Sequence, residues 1–161
     1  MESSVVDLSK YRFQRSRENL HDAWLLFDAK SYKSSVNRSY YAIFHCLRAV
    51  TALDNFDSSK HSGIIAFFNM HYVKTGIFDK YVSKILDRAY RWREKADYKD
   101  YEDVSEETAK EQIINAERIM AVLEPYLQKG GNESKKLFAK NVTENSLRSK
   151  LFMVQYLQYR I

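Results

Sequence analysis

Apolar residues recur along this chain at alternating steps of three and four, which is the period of one face of an α-helix. One such stripe, in a predicted helix over residues 32–54, consists of Val36, Tyr40, Ile43, Leu47 and Val50. Comparable stripes predict four more helices, at residues 8–30, 61–74, 78–98 and 105–130. The expected stripe of the first is Leu20, Ala23, Trp24 and Phe27. The pattern therefore predicts an all-α, up-and-down bundle of four to five helices.

Residues suited to helix ends mark the boundaries of these segments. Gly76 is placed to stop the third helix, and Ser105 is a good N-cap for the fifth. The pair of glycines at 130–131 is the clearest break in the chain. It divides a predicted bundle, residues 1–130, from a basic amphipathic extension, residues 131–161, which we expect to be helical.

Composition agrees with this fold and narrows the class of protein. Only 4 Gly and 1 Pro among 161 residues leave few tight turns for a sheet. No apolar run approaches the roughly 20 residues needed to cross a bilayer, and the first ten residues lack a secretory signal pattern. The single cysteine, Cys46, cannot form an internal disulfide. We therefore expect a soluble, cytoplasmic protein, and the histidines show no metal-ligand spacing, so neither a metal nor another cofactor is expected.

The charge is concentrated at the C-terminal end. Of the formal net charge of +5, residues 132–161 contribute six basic against two acidic groups. The extension could dock on the bundle or bind a partner, and the sequence does not decide between these.

The second predicted helix carries another, polar face. Arg38, Tyr41, His45 and Arg48 recur at steps of three, four and three, away from the apolar stripe. An imidazole can transfer a proton near neutral pH, and a guanidinium binds phosphate oxygens, so Arg38 and His45 together suit cleavage of RNA. The alternative is structural: Arg38 pairs with a carboxylate, and His45 is a core histidine whose hydrogen bonds are satisfied.

Three segments together resemble the HEPN domain family over about residues 10–128. They are residues 37–45 (NRSYYAIFH), 59–63 (SKHSG) and 93–98 (REKADY). The resemblance implies a dimerising helical bundle, often encoded beside a minimal nucleotidyltransferase, with many members acting as toxin ribonucleases. In those ribonucleases an R-x4-6-H motif lies at the dimer interface, and by that pattern Arg38 and His45 are the catalytic residues.

Further residues are candidates for binding RNA or a nucleotide. Lys60 and His61 open the third helix, although Ser59 could simply cap it while Lys60 is solvated. The fourth helix has a basic row without acidic partners at i+4, which could follow a phosphate backbone or be a solvated face; it consists of Lys80, Lys84, Arg88, Arg91 and Lys95. Arg93 and Asp97 are spaced for an ion pair that could orient Arg38 or His45.

Three roles remain open. The first is a metal-independent endoribonuclease, the toxin of a toxin–antitoxin or defence system, acting as a homodimer beside a nucleotidyltransferase. The second is a non-catalytic module that binds a nucleotide or the nucleotidyltransferase. It is favoured by Ser39, since ribonuclease members often have Asn, Asp or His after the arginine. Leu47 stands where some toxins have a modifiable tyrosine, so regulation by that modification is not expected here. The third is a purely structural scaffold.

Overall fold

Five α-helices make up the fold in a computed structural model that describes residues 2–98 and 103–130, together with Lys136, Lys140 and Thr143. They are Glu2–Asp28 (α1), Tyr32–Ala52 (α2), His61–Phe68 (α3), Lys80–Tyr98 (α4) and Glu106–Gln128 (α5). The described ranges contain no strand. The prediction of an all-α bundle is confirmed. The division at residue 130 stays a prediction, and the extension lies outside the described residues apart from the three named here.

Helix α2 is the centre of the bundle, since it packs against α1, α3, α4 and α5. Its predicted stripe is buried throughout, with Val36, Ile43, Leu47 and Val50 at most 1% exposed. At about 25 cal/mol per Å² of buried apolar surface, each such side chain contributes roughly 1.5–3 kcal/mol to stability. Apolar residues of α4 and α5, among them Val82, Ala116 and Leu123, also lie in this core.

The seam between α1 and α2 is built largely from small and polar residues, most of which the predicted apolar stripe of α1 does not include. Of that stripe Ala23 is fully buried, and Leu20 and Phe27 are partly buried against the core. The buried positions of α1 include Ser9 and Ser16, which donate hydrogen bonds to the backbone carbonyls of Ala49 (2.7 Å) and Ala42 (2.6 Å) in α2. Small side chains let two helices approach closely, and these hydroxyl groups then satisfy their polarity on the opposite backbone. The buried face of α1 therefore cannot be recognised from hydrophobicity.

The predicted ends of the helices differ from the structure in several places. Helix α1 begins at Glu2, six residues before its predicted start, and α4 begins at Lys80, although Phe78 still packs in the core. The predicted helix 61–74 is α3 followed by a π-helical segment, Asn69–Val73. Gly76 does end it, in the left-handed region at a φ of 83°. Ser105 caps α5 by accepting a hydrogen bond from the Thr108 backbone N–H at 3.1 Å.

None of the helices in the described ranges has the length and apolar character that a bilayer-spanning helix requires.

Candidate functional site

The polar face of α2 places its four predicted residues in a continuous row. The Arg38 guanidinium lies over the Tyr41 ring at 6.0 Å, and the Tyr41 and His45 rings are 6.3 Å apart. Arg48 continues the row one turn further on and lies 6.0 Å from the Phe44 ring. The structure thus brings Arg38, Tyr41, His45 and Arg48 together along one side of the bundle.

Arg38 is solvent-exposed and is positioned from α1. Its Nη1 donates to Asn19 Oδ1 at 3.3 Å, and the buried Asn19 amide in turn donates to the Arg15 carbonyl at 2.8 Å. The predicted alternative, in which Arg38 pairs with a carboxylate, finds no such partner among the described residues. The guanidinium therefore keeps most of its five N–H donors for a ligand.

His45 is half-buried, and its Nδ1 is fully buried without a hydrogen-bond partner in the described part of the chain. It is not the satisfied core histidine of the structural alternative. Burial lowers the pKa of His45 from 6.5 to about 4, assisted by the positive charges of Arg48, Arg15, Arg12 and His61. At neutral pH the imidazole is therefore uncharged and able to accept a proton.

Two arginines beside His45 are held by one carboxylate. Asp57, in the α2–α3 turn, accepts hydrogen bonds from Arg48 Nε (3.2 Å) and Nη2 (2.8 Å), and from Arg12 Nη2 (2.6 Å). Although burial alone would raise the pKa of Asp57, the Arg48 and Ser58 hydrogen bonds and the two charges lower it. Arg12 also donates to the Arg48 carbonyl at 3.2 Å. Two guanidinium groups facing one anion resemble a phosphate-binding arrangement.

The α2–α3 turn brings His61 to the same face but leaves Lys60 exposed. The His61 ring stacks on Phe44 at 4.1 Å, and its Nδ1 is hydrogen-bonded to the Tyr40 hydroxyl at 3.0 Å. Lys60 is the N-cap residue of α3 and has no side-chain capping bond. The turn is closed by Ser58 Oγ, which accepts from the Lys60 backbone N–H at 3.1 Å. The alternative in which Ser59 caps α3 is therefore wrong.

Arg93 and Asp97 form the predicted ion pair at 2.8 Å, and α4 packs beside α2. Arg93 lies over the Tyr40 ring at 5.7 Å, and Asp97 accepts a hydrogen bond from Asn37 Nδ2 at 2.9 Å. The pair therefore reaches the α2 face through Tyr40 and Asn37. No contact within the described part of the chain joins it directly to Arg38 or His45, so a role in orienting either residue stays a prediction.

Two arginines of the α4 basic row have acidic partners, so the prediction of a row without such partners is wrong. Arg91 pairs with Asp87 at 2.9 Å, and Arg88 pairs with Glu111 of α5 at 2.5 Å. Arg88 also lines a groove of about 300 Å³ between α4 and α5. These pairs reduce the uncompensated charge of the row, and nothing in the described contacts joins Arg88 or Arg91 to the α2 face.

Sequence reasoning missed the contribution of α1 and of Asp57. Arg12, Arg15 and Asn19 follow one another at steps of three and four, so they lie on one face of α1. That spacing was the available signal, but only the pairing of α1 with α2 places these residues beside Arg38 and His45. Among the described residues no three His, Cys, Asp or Glu side chains are grouped as metal ligands would be. The side chains suited to hold a ligand here are arginines, which are cations and would bind an anion.

Comparison with known proteins finds a domain family and several relatives that this chain resembles. The model of the HEPN domain matches residues 9–126. A UPF0332 protein of Thermotoga maritima is 36% identical over 119 residues, covering 74% of this chain and 90% of the relative. A protein of Methanocaldococcus jannaschii bearing the name "Putative toxin" is 37% identical over 102 residues, covering 63% and 75%. A UPF0332 protein of Gloeobacter violaceus is 32% identical over 114 residues, covering 70% and 90%.

Proposed function

Since the chain belongs to the HEPN domain family, we propose that it is a toxin-like endoribonuclease that cleaves RNA without a metal ion, through Arg38 and His45. A toxin-like role has support from two relatives named as toxins in Methanocaldococcus jannaschii. The strongest support for the chemistry comes from His45, an uncharged imidazole beside several cations and with a buried, unpartnered Nδ1 in the described structure.

In this proposal the ribose 2′-hydroxyl is the nucleophile. His45 accepts the 2′-hydroxyl proton, the 2′-oxygen forms a bond to phosphorus, and the bond from phosphorus to the 5′-oxygen breaks. Arg38 donates hydrogen bonds to the non-bridging oxygens as their negative charge increases. The departing 5′-oxygen takes up a proton, so the products are a 2′,3′-cyclic phosphate and a 5′-hydroxyl group, and no water is consumed in this step.

Other residues of the same face bind the RNA in this scheme. Tyr41 offers a ring on which a base can stack, Arg48 adds a guanidinium, and Lys60 and His61 approach from the α2–α3 turn. Arg88 and Arg91 extend binding along α4 only if RNA competes with their acidic partners. Binding should therefore weaken steeply as salt concentration rises.

The active form in this proposal is a homodimer whose two α2 faces form one cleft, and the cognate antitoxin is a minimal nucleotidyltransferase. The exposed Arg38 and half-exposed Tyr41 and His45 present the surface at which a second copy would meet the first. Light scattering at several concentrations measures the oligomeric state. A monomer that cleaves RNA at full rate would remove the dimer from the proposal.

The function is tested by RNA cleavage in the presence of EDTA. Wild-type protein should cleave, and the Arg38→Ala and His45→Ala variants should each lose roughly 100-fold or more of the rate while remaining folded. The matched controls are Arg118→Ala and His21→Ala, since both side chains are exposed and lie outside the site. The proposal is contradicted if both variants still cleave RNA, or if EDTA abolishes cleavage by the wild-type protein.

A non-catalytic binding module is the second candidate, and Ser39 favours it. The Ser39 side chain is 1% exposed and donates to the Ser35 carbonyl at 3.0 Å, so the position after Arg38 offers nothing to the α2 face. This candidate predicts that ATP raises the melting temperature without any RNA turnover, and that Arg38→Ala abolishes the rise. RNA cleavage dependent on His45 excludes it.

A further inference from the structure

His61 is fixed in place by its surroundings. It is the first residue of α3, with its ring against Phe44 and its Nδ1 on the Tyr40 hydroxyl. The turn before it is tight, because a Cβ on Gly63 would lie 2.4 Å from Ser58 Oγ. A glycine at this position therefore allows the turn to bring His61 against α2.

His61 and His45 share two aromatic neighbours. Their rings lie 4.1 Å and 6.2 Å from the Phe44 ring, and 5.8 Å and 6.3 Å from the Tyr41 ring. Two imidazole groups therefore flank the same aromatic pair on one face of a single chain.

The two imidazoles also act on each other electrostatically. A positive charge on His61 lowers the pKa of His45, so the protonation of one disfavours that of the other. Burial lowers the pKa of His61 too, with further lowering by Arg93 of α4 and Arg48 of α2. An anionic phosphate bound between the two imidazoles would favour their protonated, positively charged forms. Because two positive imidazoles repel each other, the favoured state carries one added proton on the pair.

We propose that His61 is the second proton-transfer group of this site and gives a proton to the leaving 5′-oxygen while His45 takes one from the 2′-hydroxyl. This rests on the proposed ribonuclease function. The Tyr40 hydroxyl occupies Nδ1, so Nε2 is the nitrogen that faces substrate. The protons balance: His45 gains one, His61 loses one, the bond from phosphorus to the 2′-oxygen forms, and the bond to the 5′-oxygen breaks. Exchange with water restores both imidazoles for the next turnover.

A pair of substrates isolates the step assigned to His61. RNA has an alkoxide leaving group that must be protonated, whereas uridine 3′-(p-nitrophenyl phosphate) releases p-nitrophenolate, which leaves without a proton. The His61→Phe variant keeps an aromatic ring on Phe44 but cannot transfer a proton. It should cleave RNA roughly 100-fold more slowly than wild type and cleave the p-nitrophenyl ester at nearly the wild-type rate. His45→Ala should lose both activities.

His71→Phe is the matched control. His71 stacks on Phe67 at the same 4.1 Å centroid distance as His61 on Phe44, but it is exposed and outside the site. It should cleave both substrates at the wild-type rate.

Three outcomes separate the proposals. If wild type cleaves neither substrate, the proposed ribonuclease function fails first. If His61→Phe slows both substrates equally, His61 binds or positions the substrate and the assignment as a proton donor is overturned. If His61→Phe slows neither, the proton comes from another group, such as His45 of a second copy, and the assignment is again overturned. A pH–rate profile of His61→Phe on RNA adds an independent reading, since it should lose the limb that requires a protonated group.

Discussion

Mild acid should destabilise this protein through His45. The pKa of His45 is about 4 in the folded chain, because burial and neighbouring cations disfavour its charged form, against an ordinary value of 6.5. Between these two values the unfolded chain binds a proton that the folded chain does not bind. The stabilisation is therefore complete above about pH 6.5 and is lost progressively as the pH falls toward 4.

The size of the effect follows from the pKa difference. At about 1.4 kcal/mol for each pKa unit, a lowering from 6.5 to about 4 corresponds to roughly 3 kcal/mol for a fully desolvated group. His45 is only half-buried, so solvent screening reduces this to about 1–2 kcal/mol. From pH 7 to pH 5 we expect about 1 kcal/mol of the free energy of unfolding to be lost through this residue.

Urea unfolding of three proteins at pH 7 and pH 5 measures this. Wild type should lose about 1 kcal/mol more between the two pH values than His45→Gln, because glutamine does not titrate. His21→Gln removes an exposed imidazole from α1 and should keep the wild-type loss. Because each protein is compared with itself at the two pH values, the effect of the substitution on stability at pH 7 cancels.

An equal loss in wild type and His45→Gln would refute the reasoning. A direct check is NMR titration of the His45 imidazole in the folded protein. A midpoint near 6.5 would show that neither burial nor the cations around His45 disfavour its charged form, and the predicted loss of stability in mild acid would have no cause.

Three further substitutions test the structure around the site. Asp57→Asn should lower the free energy of unfolding by about 1 kcal/mol or less, since the carboxylate is half-exposed, and tighten RNA binding by freeing the partly exposed Arg48 guanidinium; weaker binding in a filter assay would contradict this. Gly63→Ala should cost about 1–3 kcal/mol in urea unfolding, and the double variant with Ser58→Gly should recover most of it, since the clash is with Ser58; no recovery would place the strain elsewhere. Ser16→Val should destabilise by about 1–3 kcal/mol through overpacking of the α1–α2 seam, whereas the exposed Ser34→Val should cost far less by the same measurement.

The sequence predicts the fold well because α2, α4 and α5 bury apolar stripes. It predicts α1 poorly for a physical reason: Ser9 and Ser16 are buried, and their polarity is satisfied only by the backbone of α2. A pattern of hydrophobic residues carries no information about such a partner. The π-helical segment Asn69–Val73 is likewise indistinguishable from an α-helix by apolar spacing.

The part of the candidate site that lies on α2 is predictable from the sequence, whereas the part from other elements is not. Arg38 and His45 lie on one helix, so their shared face follows from the helical period. Arg12 and Asp57 come from other elements, and only the folded chain shows that Asp57 joins Arg12 to Arg48. The sequence also does not show the burial of His45, which is the main cause of its pKa of about 4, or that Arg12 and Arg15 lie near enough to lower that pKa further.

The serine seam between α1 and α2 also determines how the molecule can move. Close backbone approach and interhelical hydrogen bonds from Ser9, Ser16 and Ser35 make these two helices a single cooperative unit, among the last to open in native-state amide hydrogen exchange. We therefore expect Arg38, His45 and the arginines of α1 to keep a constant arrangement while the rest of the bundle fluctuates. If binding of a ligand requires a rearrangement, we expect it in the α2–α3 turn or in the position of a second subunit, while α1 and α2 stay rigid relative to each other.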